Sequence, residues 1–242
     1  MYPDKKALKE LERLEEISQN KNPTNWEKED SETLKISSLN CRSLRKHHQD
    51  IITDALLSKS DIICLQETWL EDDMIFDDLI IPNYDLHLNS NGKGKGIAIY
   101  FKKDTLQHEI DIKKETMQLS KFSSSTIDIV VIYRSQGGNH NDLKENLATL
   151  MSKDKPQLVI GDFNYCYLEN SSNSTKKYLQ ENAFNQLITE PTHIEGNLLD
   201  HAHVRDVQGM YNYSTEVHSK YYSDHKGLAI IVKKVCTYII IR

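Results

Sequence analysis

Apolar residues recur along this chain in short runs, each closed by a glycine or a polar residue. The sharpest is Leu158-Val159-Ile160, preceded by Pro156 and stopped by Gly161-Asp162-Phe163-Asn164. A short apolar run between Pro and Gly predicts a buried strand. In an extended chain Asp162 and Asn164 would point to one side and Phe163 to the other, packing inward. The same reading predicts strands over 34–39, 61–65 and 97–101, near 115–119 and 126–133, and near 198–205, 210–217 and 226–232. Helical spacing interrupts them. Residues 45–59 place Ile51, Ile52, Ala55 and Leu56 on one face, and two more helices, over 141–151 and 175–181, flank the Leu158 run. The strands are too numerous for a simple βαβ repeat, and several are a hairpin's length apart. The expected fold class is α/β, with two mixed sheets face to face and helices outside. No internal repeat is visible in the sequence.

The N-terminal stretch has a different rhythm. Leu8, Leu11, Leu14 and Ile17 recur every three residues among charges, which predicts an amphipathic helix over 4–19. A polar linker around Pro23 follows. Residues 1–33 therefore read as a segment apart, either the tail of an upstream domain or a partner-binding helix. Residues 34–233 form the main domain, and 234–242 an apolar C-terminal tail.

Bulk properties narrow the classes. The chain has 242 residues, 38% hydrophobic and 27% charged, enough for one domain with a sizeable core. No apolar run is long enough to span a bilayer, so no membrane role is expected. The charged N-terminus lacks a signal-peptide core, which argues against secretion. The four cysteines (Cys41, Cys64, Cys166 and Cys236) make no CxxC pair and read as reduced apolar fillers of a cytosolic or nuclear protein. A net charge of −6 argues, taken alone, against a nucleic-acid binder. Its distribution softens that: residues 1–33 hold nine acids against six bases. Carboxylates that bind a divalent metal also count as negative while serving an anionic substrate.

The chemistry lies where the runs end. Strand ends deliver Asn40, Glu67, Tyr133-Arg134, and Asp162 with Asn164; Asp200 and Ser223-Asp224-His225 come later. Each alone is more often an ordinary surface residue, but the repetition is not. Glu67 with Asp224 or Asn40 offers oxygen ligands for Mg²⁺. Asp162 suits a proton acceptor for an attacking water. Asn164 and His225 suit donors to phosphate oxygens as charge builds, Tyr133 can add a hydroxyl, and Asp200 can hold the far nitrogen of His225 and keep the ring protonated. There is no GxSxG elbow, and the Gly92–Gly96 loop is not a P-loop. The donor set, rich in oxygen and poor in sulfur and nitrogen, favours magnesium over zinc.

The ordered set Asn40, Gln66-Glu67-Thr68-Trp69, Tyr133-Arg134, Gly161-Asp162-Phe163-Asn164, Asp200 and Ser223-Asp224-His225 resembles the endonuclease/exonuclease/phosphatase superfamily. Within it, the surroundings of Asn40, Glu67, Gly96 and His225 are most similar to endonuclease domains of LINE-type retrotransposons and Helitron-type transposons. The resemblance implies a four-layer α/β sandwich of the deoxyribonuclease I type and metal-dependent phosphoester hydrolysis. It implies Glu67 as the main metal ligand with Asn40 and Asp224 beside it, and Mg²⁺ as the ion with Mn²⁺ as a substitute. Asp162 would activate water, Asn164 and Tyr133 would hold the phosphate, and Asp200 would pair with His225. Arg42, Thr192, Arg134 and Ser223 would meet the substrate. Apurinic endonucleases carry an acidic residue where Arg42 stands, which argues against abasic-site repair and suits a DNA phosphate contact.

The leading expectation is thus a Mg²⁺-dependent endonuclease that nicks double-stranded DNA to leave a 3′-hydroxyl. It would act in the nucleus, linked to a helicase or reverse transcriptase in a longer polyprotein. Arg42, Arg45, Lys46, Lys93, Lys95 and Arg134 would form its phosphate track. The alternatives are a phosphatase or phosphodiesterase acting on a small-molecule or lipid phosphoester, and an inactive nucleic-acid-binding remnant. The short segment 193–199 leads us to expect weak sequence preference.

Overall fold

The computed structural model describes residues 33–71, 76–169 and 173–235. The helix expected over 4–19 and the apolar tail beyond 235 lie outside them. Two six-stranded sheets account for the strands. The first contains β1 (Thr33–Asn40), β2 (Ile62–Gln66), β3 (Tyr84–Asn89), β4 (Ile97–Lys102), β11 (Tyr211–His218) and β12 (Gly227–Lys234), in the order β11-β12-β1-β2-β4-β3. The second contains β5 (Gln107–Lys114), β6 (Met117–Ser123), β7 (Asp128–Arg134), β8 (Gln157–Asp162), β9 (Asn185–Gln186) and β10 (Asp200–Arg205), in the order β5-β6-β7-β8-β10-β9.

The sheets share one plan. Each has a central parallel pair, β1 with β2 and β7 with β8, and its other pairings are antiparallel. Each parallel pair is joined through a helix, α1 (Leu44–Thr53) in the first and α2 (His140–Thr149) in the second, as a parallel connection requires. The two halves therefore repeat in topology without repeating in sequence.

Burial explains the apolar runs. In β7, Ile129, Val131 and Tyr133 face the core between the sheets, where they join Ile36, Ile62, Leu158 and Ile230. The alternate residues Val130 and Ile132 face the opposite way, into a second core with Leu143 and Leu147 of α2 and Leu179 of α3 (Ser174–Glu181). A strand covered on both faces has no polar alternation to show. Strands that are half exposed lost their signal: β5 carries the polar sequence QHEIDIKK and is open along most of its length. Helix α1 ends at Thr53, short of the expected 59, and a separate 3₁₀ turn follows at Leu57–Lys59. Asp54 makes the break, its Oδ1 accepting from the backbone N–H groups of Leu56 and Leu57. The tail expected from residue 234 starts later, because Lys234 still pairs with Tyr211 in β12. Cys41 and Cys64 are free and fully buried, and burial pushes both thiols far up from their ordinary value.

Candidate active site

The topology brings the chemistry to one end. Strands β1, β2, β7 and β8 run one way, so Asn40, Glu67, Tyr133 and Asp162 lie at or just past their C-terminal ends. Strands β10 and β12 run against them, so their beginnings reach the same end. Asp200 sits in register opposite Asp162, and the segment Ser223–His225 enters β12 beside Asn40, with the Ser223 hydroxyl donating to the Asn40 carbonyl at 2.7 Å.

Contacts across the two sheets join the groups. The Asn40 carboxamide donates to Asp162 Oδ2 at 2.9 Å and to Glu67 Oε1 at 3.0 Å, linking one carboxylate from each sheet. Trp69 Nε1 donates to the other Glu67 oxygen at 3.3 Å. His225 Nδ1 lies 2.8 Å from Asp200 Oδ2, with both side chains buried. Burial works against a charged ring, but Asp200, followed by Asp162 and Asp224, outweighs it and His225 is pushed up to about 10. Burial and the neighbouring Asp200 raise the Asp162 carboxyl well above the usual range, against the opposing pull of His225 and Asn40.

Asp162 and Asn164 do meet, though not by strand alternation. Asn164 takes a left-handed φ of 52°, and its backbone N–H and carboxamide both donate to Asp162, at 2.8 and 3.2 Å. The turn depends on Gly161. Its φ is 139°, and a Cβ there would stand 2.0 Å from the Ile132 carbonyl oxygen, so only glycine lets β8 lie against β7 at this point. Arg42, Ser43, Glu67 and Trp69 also have positive φ, which concentrates backbone strain at this end of the molecule. Phe163 turns inward as expected, fully buried and stacked on His201 at 4.5 Å.

Two of the four expected substrate contacts, Arg134 and Thr192, require correction. Arg134 is 3% exposed. Its guanidinium donates to the carbonyls of Phe163 (2.6 Å), Asn164 (3.1 Å) and Gly138 (3.2 Å), so it holds the turn from behind and presents nothing to a ligand. Thr192 is fully buried, and its hydroxyl accepts from the N–H groups of Leu199 and Asp200, both at 3.0 Å, fixing where Asp200 starts. The Ser223 hydroxyl, besides donating to Asn40, accepts from the His225 N–H at 3.1 Å. Arg42 does stay half exposed, but its guanidinium lies 2.6 Å from Asp224 Oδ2. One other assignment shifts. The Tyr133 hydroxyl donates to the Gly94 carbonyl at 2.8 Å, tying down the glycine loop. In the expected phosphate track, Arg45 lies 3.4 Å from Asp78, Lys93 stands 6.0 Å from the Trp69 ring centre and Lys95 lies 3.9 Å from Glu115.

His193 is the residue that sequence reasoning missed. It bridges to His225 through the backbone, its ring lies 4.9 Å from that of His225, and Nε2 is 3.6 Å from Asp224 Oδ2. It also lines a polar groove of about 390 Å³ with Asn164, Asn197, Glu195, Gln136 and His225. Only the pairing of segment 192–194 with 224–226 places it there, and no local spacing announces that pairing.

The donor set can be tested for a divalent cation. Asp224 Oδ1 is buried with no hydrogen-bond partner, and Glu67 is approached only by N–H donors. Both are carboxylates, and Asn40 adds a carboxamide. The unpartnered buried Asp224 Oδ1, together with a Glu67 carboxylate that accepts only from neutral N–H groups, fits a hard cation bound by oxygen. His193, Asp224 and His225 also place ligand atoms within 4.8 Å of one another, as do Asp162, Asp200 and His225.

Two facing six-stranded sheets with a carboxylate-rich cluster at the shared strand ends define a deoxyribonuclease I-like α/β sandwich. The chain belongs to the endonuclease/exonuclease/phosphatase family, whose sequence profile matches residues 37–225. It is accordingly a hydrolytic enzyme acting on phosphoesters, of a metal-dependent kind. Solved structures with the same fold include an AP endonuclease from Archaeoglobus fulgidus, at 17% identity and a TM-score of 0.64, covering 81% of this chain and 98% of that one. The endonuclease domain of TRAS1, a telomere-specific non-LTR retrotransposon, has 14% identity and a TM-score of 0.63, covering 84% and 99%. The 3′ phosphatase NExo from Neisseria, bound to a product DNA hairpin, has 16% identity and a TM-score of 0.63, covering 84% and 100%. A search of curated proteins by sequence finds no match.

Proposed function

We propose that this chain is a Mg²⁺-dependent DNA endonuclease of a mobile element, which nicks a target strand to leave a 3′-hydroxyl. The observation that carries the reading is the Asn40 bridge. It ties Glu67 of one sheet to Asp162 of the other beside the buried Asp200–His225 pair, whose His225 lines an open polar groove. Glu67, Asp224 and the Asn40 carboxamide would hold the metal, with Mn²⁺ as a substitute. The bound cation would neutralise charge on the scissile phosphate.

The chain's own groups do the rest. Asp162, oriented by Asn40 and by the Asn164 N–H, takes a proton from the attacking water. Its raised affinity for a proton makes it a stronger base near neutral pH than an ordinary carboxylate. His225, kept charged by Asp200, and the Asn164 carboxamide donate to the phosphate oxygens as negative charge develops there. Tyr133 supports this centre by anchoring the Gly92–Gly96 loop rather than by reaching the phosphate.

Arg42 in place of an acid, with its guanidinium on Asp224, argues against abasic-site repair. DNA phosphates approaching the site would meet this half-exposed cation first. Weak sequence preference remains the expectation. Residues 193–199 make a tight turn, closed by the Gly196 N–H on the His193 carbonyl at 3.0 Å and pinned by Ile194 N–H to the Asp224 carbonyl at 3.0 Å. Such a turn offers no long hairpin to a groove. The setting proposed is nuclear DNA, with a helicase or reverse transcriptase elsewhere in the polyprotein.

Product analysis tests the reading. Nicked duplex should serve a polymerase as primer without prior phosphatase treatment, and inositol phosphates should release no phosphate. Blocked 3′ ends, or turnover of inositol phosphates with DNA left intact, would overturn it in favour of a small-molecule phosphoesterase.

A further inference from the structure

At one edge of the sandwich a second constellation stands apart from the residues just described. The two sheets end there in β3 and β5, which pair only with β4 and β6. No backbone ladder joins the two edges. His87 of β3 and His108 and Asp111 of β5 close the gap with side chains. His87 Nε2 lies 3.0 and 3.1 Å from the two Asp111 oxygens, and His108 Nε2 lies 3.1 Å from Oδ1. All three ligand atoms fall within 4.8 Å of one another.

The backbone is shaped to allow it. Residues three apart on a regular strand point to opposite faces, so His108 and Asp111 should not meet. The ladder between β5 and β6 slips between His108 and Ile110, leaving Glu109 as the extra residue of a bulge. The bulge turns His108 onto the face of Asp111. Both imidazoles are then stacked, 4.0 Å apart, and each packs against the buried Phe122 ring, at 5.2 and 5.3 Å. Asp111 has an outer partner too. It is opposite Ser120 in the ladder, and the Ser120 hydroxyl bonds to it and accepts from Asn89 of β3 at 3.2 Å.

We propose that His87, His108 and Asp111 form a binding site for a zinc-type transition-metal ion that clamps the free edge of one sheet to that of the other. Two imidazole nitrogens and one carboxylate oxygen are a borderline donor set, suited to Zn²⁺ and ill suited to Mg²⁺. The three ligands sit at a partly open edge, which leaves a fourth tetrahedral position for water. Ordered outer partners, as Ser120 provides for Asp111, are the usual companions of such a site. The clamp also answers a hazard of the fold, since open edge strands invite pairing with other chains.

Calorimetric titration of the whole chain with Zn²⁺, in saturating Mg²⁺ to occupy the nicking site, tests the proposal. One Zn²⁺ should bind the native chain. Affinity should drop about 100-fold or more in His108→Ala and in Asp111→Asn, beyond the 10–100-fold typical of losing an outer partner. Asp224→Asn should leave it unchanged. His108 is partly exposed, so its replacement tests ligation with little risk to folding. His87→Gln gives a second reading on the other sheet, and Zn²⁺ should raise the thermal midpoint of the native chain but not of this variant. Equal Zn²⁺ affinity in the native chain and in both β5 variants, or a loss that follows Asp224→Asn instead, would overturn the proposal.

Discussion

At the scale of single residues, the site divides into groups proposed to do the chemistry and groups that hold them. Asp162, fully buried, and His225, which lines the groove, belong to the first kind. Asp162→Asn removes the proton acceptor and His225→Ala the charged donor. Each should lower the nicking rate by about 10²–10⁴-fold with folding retained. Undiminished nicking by either variant, measured under single-turnover conditions, would remove that residue from the mechanism. Arg134 belongs to the second kind. Arg134→Lys keeps a cation but loses the fork that serves the Phe163, Asn164 and Gly138 carbonyls. It should lower both the thermal midpoint and the rate while leaving the salt dependence of DNA binding unaltered. A salt slope reduced by about 1, as for a lost phosphate contact, would return Arg134 to the substrate side. The residue types at the strand ends were legible in the sequence because apolar runs deliver them. Which ones face outward was not: Arg134, Thr192 and Ser223 are polar like their neighbours, and only the fold reveals that they turn to backbone atoms.

At the scale of elements, legibility followed burial. Strands β7, β8 and β12 read clearly because both faces are covered. Strands β3 and β5 did not, since each is an edge and β5 is mostly exposed. The outer face of β10 adds an acid-sensitive feature. His201 and His203 are buried there around Phe163. Burial lowers His201 to about 4, against smaller opposing effects of the Leu198 and Tyr165 carbonyls and Asp200. Burial, and then His201, push His203 well below the ordinary value. A ring whose folded pKa lies below its unfolded value of 6.5 stabilises the fold fully above that pH, and the contribution is lost as pH falls toward about 4. Urea-unfolding free energy should therefore fall below pH 6.5 by up to about 1.4 kcal/mol per pH unit for each histidine. His203→Gln should flatten that fall. An identical acid limb in the variant would show that the burden lies elsewhere.

At the scale of the molecule, the layered α/β class and the convergence of six strand ends were readable from the order of runs and motifs. The topological repeat was not, because matching strands of the two sheets share burial rather than residues: Asn40 ends β1 where Tyr133-Arg134 ends β7. Nor was His193, whose place depends on a bridge between two loops distant from the strand patterns. Among the described residues no helix is long and apolar enough to cross a membrane. In the proposed reaction Glu67, bridged through Asn40 to Asp162, serves a cation-dependent cut in duplex DNA. The decisive assay is conversion of supercoiled plasmid to open circles by the native chain with Mg²⁺, by the same chain with EDTA, and by Glu67→Ala with Mg²⁺. Open circles are expected in the first reaction and supercoiled plasmid in the other two; equal nicking in all three, or none in the first, would overturn this role for Glu67.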